Sequence, residues 1–250
     1  MSLLDRLMTG AFGPNTFVEF PNLAAPVCVV GDVHGRDDLL RRLLAQIDRT
    51  ATRIVFVGDY VDRGPDSAAV LARLQSMCQA DPQQIFCLMG NHERMMIDFL
   101  DDPGTHGPRW LRSGGTETLA SFHIDRVRGR TEADRLGAIA AALRTALPPG
   151  QELWLRSLPM IWQEGALAVV HAAADPTISL VAQTELSLLW GHPDFRKTPR
   201  TDGIWVVHGH VIVEQPTARQ GRIAIDTGAW RTGRLSAVLL ADGKADFLLA

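Results

Sequence analysis

Cysteine is scarce in this chain: Cys28, Cys78 and Cys87 are the three in 250 residues, and no two form a CxxC pair. Each sits in an apolar or helical-looking stretch. All three are therefore expected as thiols in or near a core, with neither a disulfide framework nor a catalytic thiol, and the odd count fits a reducing compartment. Long apolar runs are also missing. Nothing approaches the roughly 18 consecutive apolar residues of a membrane span, so no membrane partner is expected. The opening MSLLDRLMTGAFGPN lacks an apolar stretch followed by a cleavage signal, which points to a cytoplasmic rather than an exported protein. A basic excess is absent too. The formal net charge is −3, which argues against a dedicated nucleic-acid surface while leaving room for a small cationic pocket. No repeat or low-complexity linker interrupts the sequence. What remains is 46% hydrophobic and 21% charged, the balance of a soluble globular protein, and its length suits a single domain over 1–250.

Residues 1–25 carry several Gly and Pro and are expected as a loose segment with a short strand or turn. Then PVCVV (26–30), RIVFV (53–57) and QIFCLM (84–89) read as buried strands. Helices are expected after them over 37–49, 66–79 and 92–100, the first from leucines at helical spacing and the second opened by Pro65 and Asp66. Strand, polar loop and helix, three times over, is the pattern of an α/β protein with parallel neighbours and right-handed crossovers. In such sheets the active site lies beyond the carboxyl ends of the strands. Residues 101–125 read as loop plus a short helix (GGTETLASF), 131–147 as an alanine-rich helix and 151–157 as another, giving a mainly helical insert at about 101–158. Beyond Pro159 strands dominate: a hairpin over 160–172 turning at Gly165, then 204–210, 218–226 and 234–250 with a turn at Gly243. Two packed sheets with outer helices follow as the model.

The polar motifs fall at the strand ends. In GDVHG, Asp32 and His34 are two residues apart, so an extended backbone sends both to one side, where a carboxylate and an imidazole can meet one ion. Helix-cap bonds are the bland reading. In GDYVDRG, Asp59 has the chemistry to bridge two metals, Asp62 to orient a histidine, and Arg63 to grip phosphate oxygens with its planar fork; an internally paired surface turn is the alternative. In GNHE, Asn91 offers a neutral oxygen, His92 a general acid, and Glu93 a brace for the helix start. His171 in VVHA, and His208 and His210 in VVHGH, each follow an apolar run, where a histidine is often a satisfied core-edge residue. Together these residues supply oxygen and nitrogen donors without a thiolate, a set suited to Mn2+, Fe or Zn2+.

The ordered set GDVHG, GDYVDRG, GNHE, VVHA and VVHGH resembles the signature of the phosphoprotein-phosphatase group of the calcineurin-like metallophosphoesterases, in particular the bacterial and phage-type serine/threonine protein phosphatases. The likeness runs from about residue 27 to 250, and GRIAIDTGAWRTGRLSAVLL (221–240) looks like the final part of bacterial members. It implies an α/β fold with a central two-sheet β-sandwich flanked by helices. It also implies two divalent metal ions, Mn2+ first with Fe or Zn2+ as alternatives. By this resemblance Asp32, His34 and Asp59 hold one ion; Asp59, Asn91, His171 and His210 hold the other. His92 is the general acid, Asp62 its orienting carboxylate, and Arg63 and Asn91 bind phosphate. The family's second clamping arginine is not evident. LLWGHPDFRK places His192 near its position, Arg196 is the nearest replacement and Arg200 the fallback. HAAAD replaces the family's usual glycine after the fourth motif, making Asp175 a turn residue or part of the rim. His208 matches no ligand.

The expected activity is hydrolysis of phosphomonoesters by in-line attack of a metal-bridging hydroxide, with phosphoserine or phosphothreonine of a protein or peptide, phosphotyrosine, or a small phosphoester as substrate. The alternatives are a hydrolase of diadenosine tetraphosphate, nucleotides or RNA, for which Trp110, Trp190 and Phe195 are candidate base-stacking residues, and a non-catalytic phosphate-binding module.

Overall fold

The apolar run after Pro26 becomes strand β1 (Val27–Val30), buried along its whole length, in a computed structural model that describes residues 20, 21, 23–124 and 131–250. Most of the N-terminal segment expected as loose lies outside the described residues. Strands β2 (Arg53–Phe56) and β3 (Ile85–Cys87) run parallel to β1. They are linked through helices α1 (Asp37–Leu44) and α2 (Ser67–Ala80), and β3 leads into α3 (Asn91–Asp101). Alternation explains why these short strands are apolar throughout. Val27, Val29, Val55 and Val57 face the second sheet, while Cys28, Val30, Ile54 and Phe56 face the helices.

Between α3 and the second sheet the chain is helical: α4 (Pro103–Trp110), a kinked stretch Leu111–Gly115, α5 (Thr116–Ser121), α6 (Glu132–Ala146) and α7 (Gln151–Arg156). The loop expected over the first part of 101–125 is therefore mostly helix. Pro103 stands in a first turn, where it costs no hydrogen bond, and the Asp102 carboxylate caps Thr105 N–H at 3.1 Å. The expected helix over 37–49 ends early, at Leu44. The next amides bond three residues back, Gln46 N–H to Leu43 O at 3.0 Å and Ile47 N–H to Leu44 O at 3.3 Å, which tightens the chain into a turn.

The second half supplies β4 (Ile161–Glu164), β5 (Leu167–Val170), α8 (Glu185–Trp190), β6 (Trp205–His208), β7 (Thr217–Arg219), β8 (Arg222–Ala224), α9 (Ala229–Thr232), β9 (Ser236–Ala241) and β10 (Lys244–Leu249). One sheet has the order β10-β9-β1-β2-β3 and the other β4-β5-β6-β8-β7. Strand β9 pairs antiparallel with β1, so the end of the chain completes the sheet that its beginning started. Leu167, Val169, Val207 and Ile223 meet the valines of the first sheet in the space between. The result is a mixed α/β molecule, a two-sheet sandwich with helices outside it. Cys28 and Cys87 are buried and all three thiols are free; burial pushes Cys28 up to about 12. The Cys78 and Cys87 sulfurs, from α2 and β3, are in contact at 3.5 Å.

Candidate metal centre

The loops after β1, β2 and β3 sit side by side because their strands are adjacent and parallel. Backbone amides join the first two: Val33 and His34 both donate to Asp59 O, at 3.1 and 2.8 Å. Glu93 joins the second and third. Its buried carboxylate accepts N–H bonds from Asp59 and Gly90 on one oxygen (2.8 and 3.0 Å) and from Tyr60 and Val61 on the other (2.7 and 3.1 Å). The expected role of bracing the helix start thus extends to the whole GDYV turn. Burial and Asp59 push Glu93 up to about 7, yet four N–H donors on two oxygens leave no acceptor for a carboxyl proton, and the ionised form fits the site. His34, Asp59, Asp62, Arg63 and His210 all hold positive φ, between 44° and 73°. That region is sparsely used by side-chain-bearing residues and is occupied here by residues that converge on one point.

Two clusters share Asp59: His34, Asp59 and His92, and Asp59, His171 and His210, each with ligand-capable atoms within 4.8 Å of one another. His34 Nε2 lies 3.4 Å from Asp59 Oδ2, and His171 Nε2 lies 3.3 Å from Asp59 Oδ1. Asn91 Oδ1 is 2.8 Å from His171 Nε2 and 3.0 Å from His210 Nδ1. Backbone carbonyls fix two tautomers, with Val61 O taking His34 Nδ1–H at 2.7 Å and Val57 O taking His171 Nδ1–H at 3.1 Å, so both Nε2 lone pairs face Asp59. Asp32 stands beside the second cluster and accepts His210 N–H at 3.0 Å.

The electrostatics prepare these groups as ligands. Burial pushes His34 down to about 3 and His171 down to about 4, and lowers His210, so the imidazoles are neutral. Burial alone would raise Asp59, but His171, His92 and His34 outweigh it and hold the carboxyl below its ordinary value. Asp32 is raised well above its ordinary value by burial, then by Asp226 and Asp59; burial brings Asp226 itself up to about 6. Asp32, Asp59, Asp62, Glu93 and Asp226 are each no more than 3% exposed. So many buried carboxylates need cations. Neutral nitrogens and oxygens converging on a shared carboxylate are what a pair of divalent ions requires.

The calcineurin-like phosphoesterase family model matches residues 25–220. The chain belongs to the calcineurin-like phosphoesterase family. The family is one of phosphoesterases, and it implies divalent metal ions. Serine/threonine-protein phosphatase 2 of Salmonella typhimurium is 26% identical over 84% of this chain and 90% of its own length. A Caenorhabditis elegans candidate serine/threonine-protein phosphatase is 40% identical over 33% of this chain, a segment that spans 24% of the nematode protein. Among solved structures, a candidate diadenosine tetraphosphatase superposes with a TM-score of 0.64 at 21% identity, over 92% of this chain and 96% of its own.

His92 differs from the other histidines of this phosphoesterase centre. Its Nδ1 meets Asp62 Oδ2 at 2.6 Å and its Nε2 lies 3.9 Å from Asp59 Oδ2. Burial works against its charged form, but Asp59 and Asp62 outweigh burial and raise its pKa. Half-buried Arg63 places Nη1 3.2 Å from His34 Nε2, with its Cζ 5.3 Å from the ring centre of Trp230. The remaining expected residues fall elsewhere. Arg200 is buried and engages Asp202 and the carbonyls of Asp175 and Ile178, which ties it to its own loop and removes it as the fallback clamp. His192 pairs with Asp175 at 3.5 Å and Arg196 is exposed. Among the described contacts neither meets a clustered residue. Asp175 Oδ1 accepts Thr177 N–H and O–H, at 2.8 and 2.7 Å, and is a turn residue. His208 is buried edge-on against Phe195. As base-stacking surfaces, Trp110 and Phe195 are excluded by burial (0% and 3% exposed), and half-buried Trp190 carries Arg109 over its ring at 4.3 Å. Sequence reasoning passed over Trp230, Asp226 and Thr118. Trp230 and Asp226 lie in the segment 221–240 already singled out, and Thr118 in GGTETLASF.

Proposed function

We propose that this chain hydrolyses phosphomonoesters, phosphoserine and phosphothreonine of proteins first and phosphotyrosine second. Asp32, His34 and Asp59 would hold one divalent ion, and Asp59, Asn91, His171 and His210 the other, with Mn2+ the leading choice and Fe or Zn2+ the alternatives. When bound, such ions polarise phosphoryl oxygens and make a water acidic enough to attack phosphorus near neutral pH. The protein's own groups do the rest. Arg63 and Asn91 bind the equatorial oxygens, and with Arg196 meeting no clustered residue among the described contacts and Arg200 tied into its loop the guanidinium clamp rests on Arg63. His92 gives the proton on Nε2 to the departing alkoxide, and Asp62 keeps the ring turned for that transfer. The observation that carries this reading is the His92–Asp62 bond of 2.6 Å behind an imidazole whose other nitrogen faces Asp59.

A substrate panel with added Mn2+ tests it: phosphoserine, phosphothreonine and phosphotyrosine peptides beside diadenosine tetraphosphate and mononucleotides. Phosphopeptides should be turned over with the highest kcat/KM. Diadenosine tetraphosphate well ahead of every peptide would replace the substrate class with the one described for the structural neighbour. Purified protein without metal and without turnover of p-nitrophenyl phosphate would leave a phosphate-binding module.

A further inference from the structure

The helical segment that follows α3 reaches the Asp62 carboxylate. Thr118 Oγ1, from α5, donates to Asp62 Oδ1 at 2.7 Å, and Trp110 Nε1, from the end of α4, donates across both oxygens at 3.2 and 3.1 Å. The same threonine oxygen accepts Asp62 N–H at 2.8 Å, as does Ser67 Oγ at 3.1 Å. The chain between Trp110 and Thr118 is shaped for this delivery. Gly114 kinks it at φ 113°, its carbonyl accepts Arg63 N–H at 3.2 Å, and a Cβ there would stand 2.6 Å from Arg63 N. Gly115 lies flat on the Trp110 indole, where a Cβ would come within 2.6 Å of the ring. The stretch WLRSGGTET therefore contacts both Asp62 and Arg63.

We propose that Trp110 and Thr118 are positioning residues for proton donation by His92, acting through Asp62. The idea rests on the reading of His92 as the acid. A fully buried carboxylate with one partner has freedom to rotate and a strong tendency to take up a proton. Thr118 and Trp110 donate three bonds to it between them and hold it in one orientation, so that its remaining oxygen lobe meets the imidazole Nδ1–H. Loss of a donor loosens the ring that must present Nε2–H to the leaving oxygen. Packing is the rival explanation, since Trp110 also stacks on Phe99 with ring centres 4.6 Å apart. Thr118 separates the two, because Thr118→Val keeps the shape and removes the hydroxyl, while Thr118→Ser keeps the hydroxyl.

The test compares a phosphoserine peptide, whose alkoxide leaves only with a proton, with p-nitrophenyl phosphate, whose leaving group needs little help. The Mn2+-loaded protein is assayed as wild type, Thr118→Val, Thr118→Ser, Trp110→Phe and His92→Asn. His92→Asn should lower the alkyl-to-aryl ratio of kcat by about a hundredfold or more. Thr118→Val and Trp110→Phe should each lower it by about tenfold, with KM and bound metal little changed, and Thr118→Ser should restore it. Equal losses on both substrates, or failure of Thr118→Ser to restore the ratio, would assign these residues to packing and overturn the inference. Trp110→Phe keeps the ring stack and decides the matter if Thr118→Val does not fold. If His92→Asn leaves the ratio unmoved, the assignment of His92 itself is wrong and the inference goes with it; a wild type that cannot cleave the alkyl ester overturns the phosphopeptide reading on which the inference rests.

Discussion

Asp59 is the residue on which both halves of the centre depend. Its two oxygens lie 3.4 and 3.3 Å from His34 and His171, from different sheets. Its carboxyl is held below its ordinary value against burial, and His92, the imidazole of the centre with a raised pKa, favours the charge beside it. Asp59→Asn keeps the shape and removes the charge, and should cut bound metal by more than half, with activity falling at least about a hundredfold; elemental analysis after gel filtration checks it. His92 behaves differently, since its role does not need it to bind an ion. His92→Asn should retain metal while turnover of alkyl phosphomonoesters drops by about a hundred- to ten-thousandfold. Metal loss in that variant, or unimpaired turnover, would return His92 to the ligands or remove it from the chemistry.

Among the elements, the turn after β2 is held by a fully buried acid. Four amides, from Asp59, Tyr60, Val61 and Gly90, converge on Glu93 at the first turn of α3. They help hold Asp59 in its left-handed conformation and the turn that leads on to Asp62 and Arg63. Glu93→Gln sets an amide N–H against two backbone donors. The loss is about 1–3 kcal/mol, or a Tm lower by roughly 5 °C on the scale of a chain this long. Metal binding should weaken alongside, as the turn loosens. Calorimetry on the variant checks it, and a melting temperature within about 1 °C of wild type would mean that packing alone holds the turn.

On the scale of the whole molecule, two buried populations titrate in opposite directions. Asp32 and Asp226 are raised, so in the metal-free protein their contributions are present at low pH and lost as pH rises. His34, His171 and His208 are depressed by burial, so theirs are present above the ordinary value of 6.5 and lost as pH falls. The total is a partial cancellation, and a difference measurement isolates one group. His208, outside both clusters, has its pKa pushed down to about 4 by burial. Wild type minus His208→Gln stability should be constant above pH 7 and should shrink on acidification from 6.5 towards 4, with a slope of at most about 1.4 kcal/mol per pH unit. Denaturant titrations at pH 7.5, 6 and 5 read that slope directly. A difference independent of pH would mean that His208 is not held neutral by the fold.

Strand ends, helix faces and the order of GDVHG, GDYVDRG, GNHE, VVHA and VVHGH are local properties, and the sequence by itself determined them. Continuous apolar runs mark β1 and β2, and short polar motifs at their carboxyl ends place Asp32, His34 and Asp59 where the sheet opens. Residues 101–121 were less legible. Gly and Pro there read as loop punctuation, whereas Pro103 begins a helix and Gly114 kinks a helical path. Only the tertiary structure decided what surrounds Asp62. Trp110 and Thr118 are 48 and 56 residues from it, and no periodicity relates positions so far apart. It also decided the fate of the cations. Arg200 looked available in a chain of residues, yet a buried guanidinium takes the carbonyls and carboxylates its own loop offers, here those of Asp175, Ile178 and Asp202.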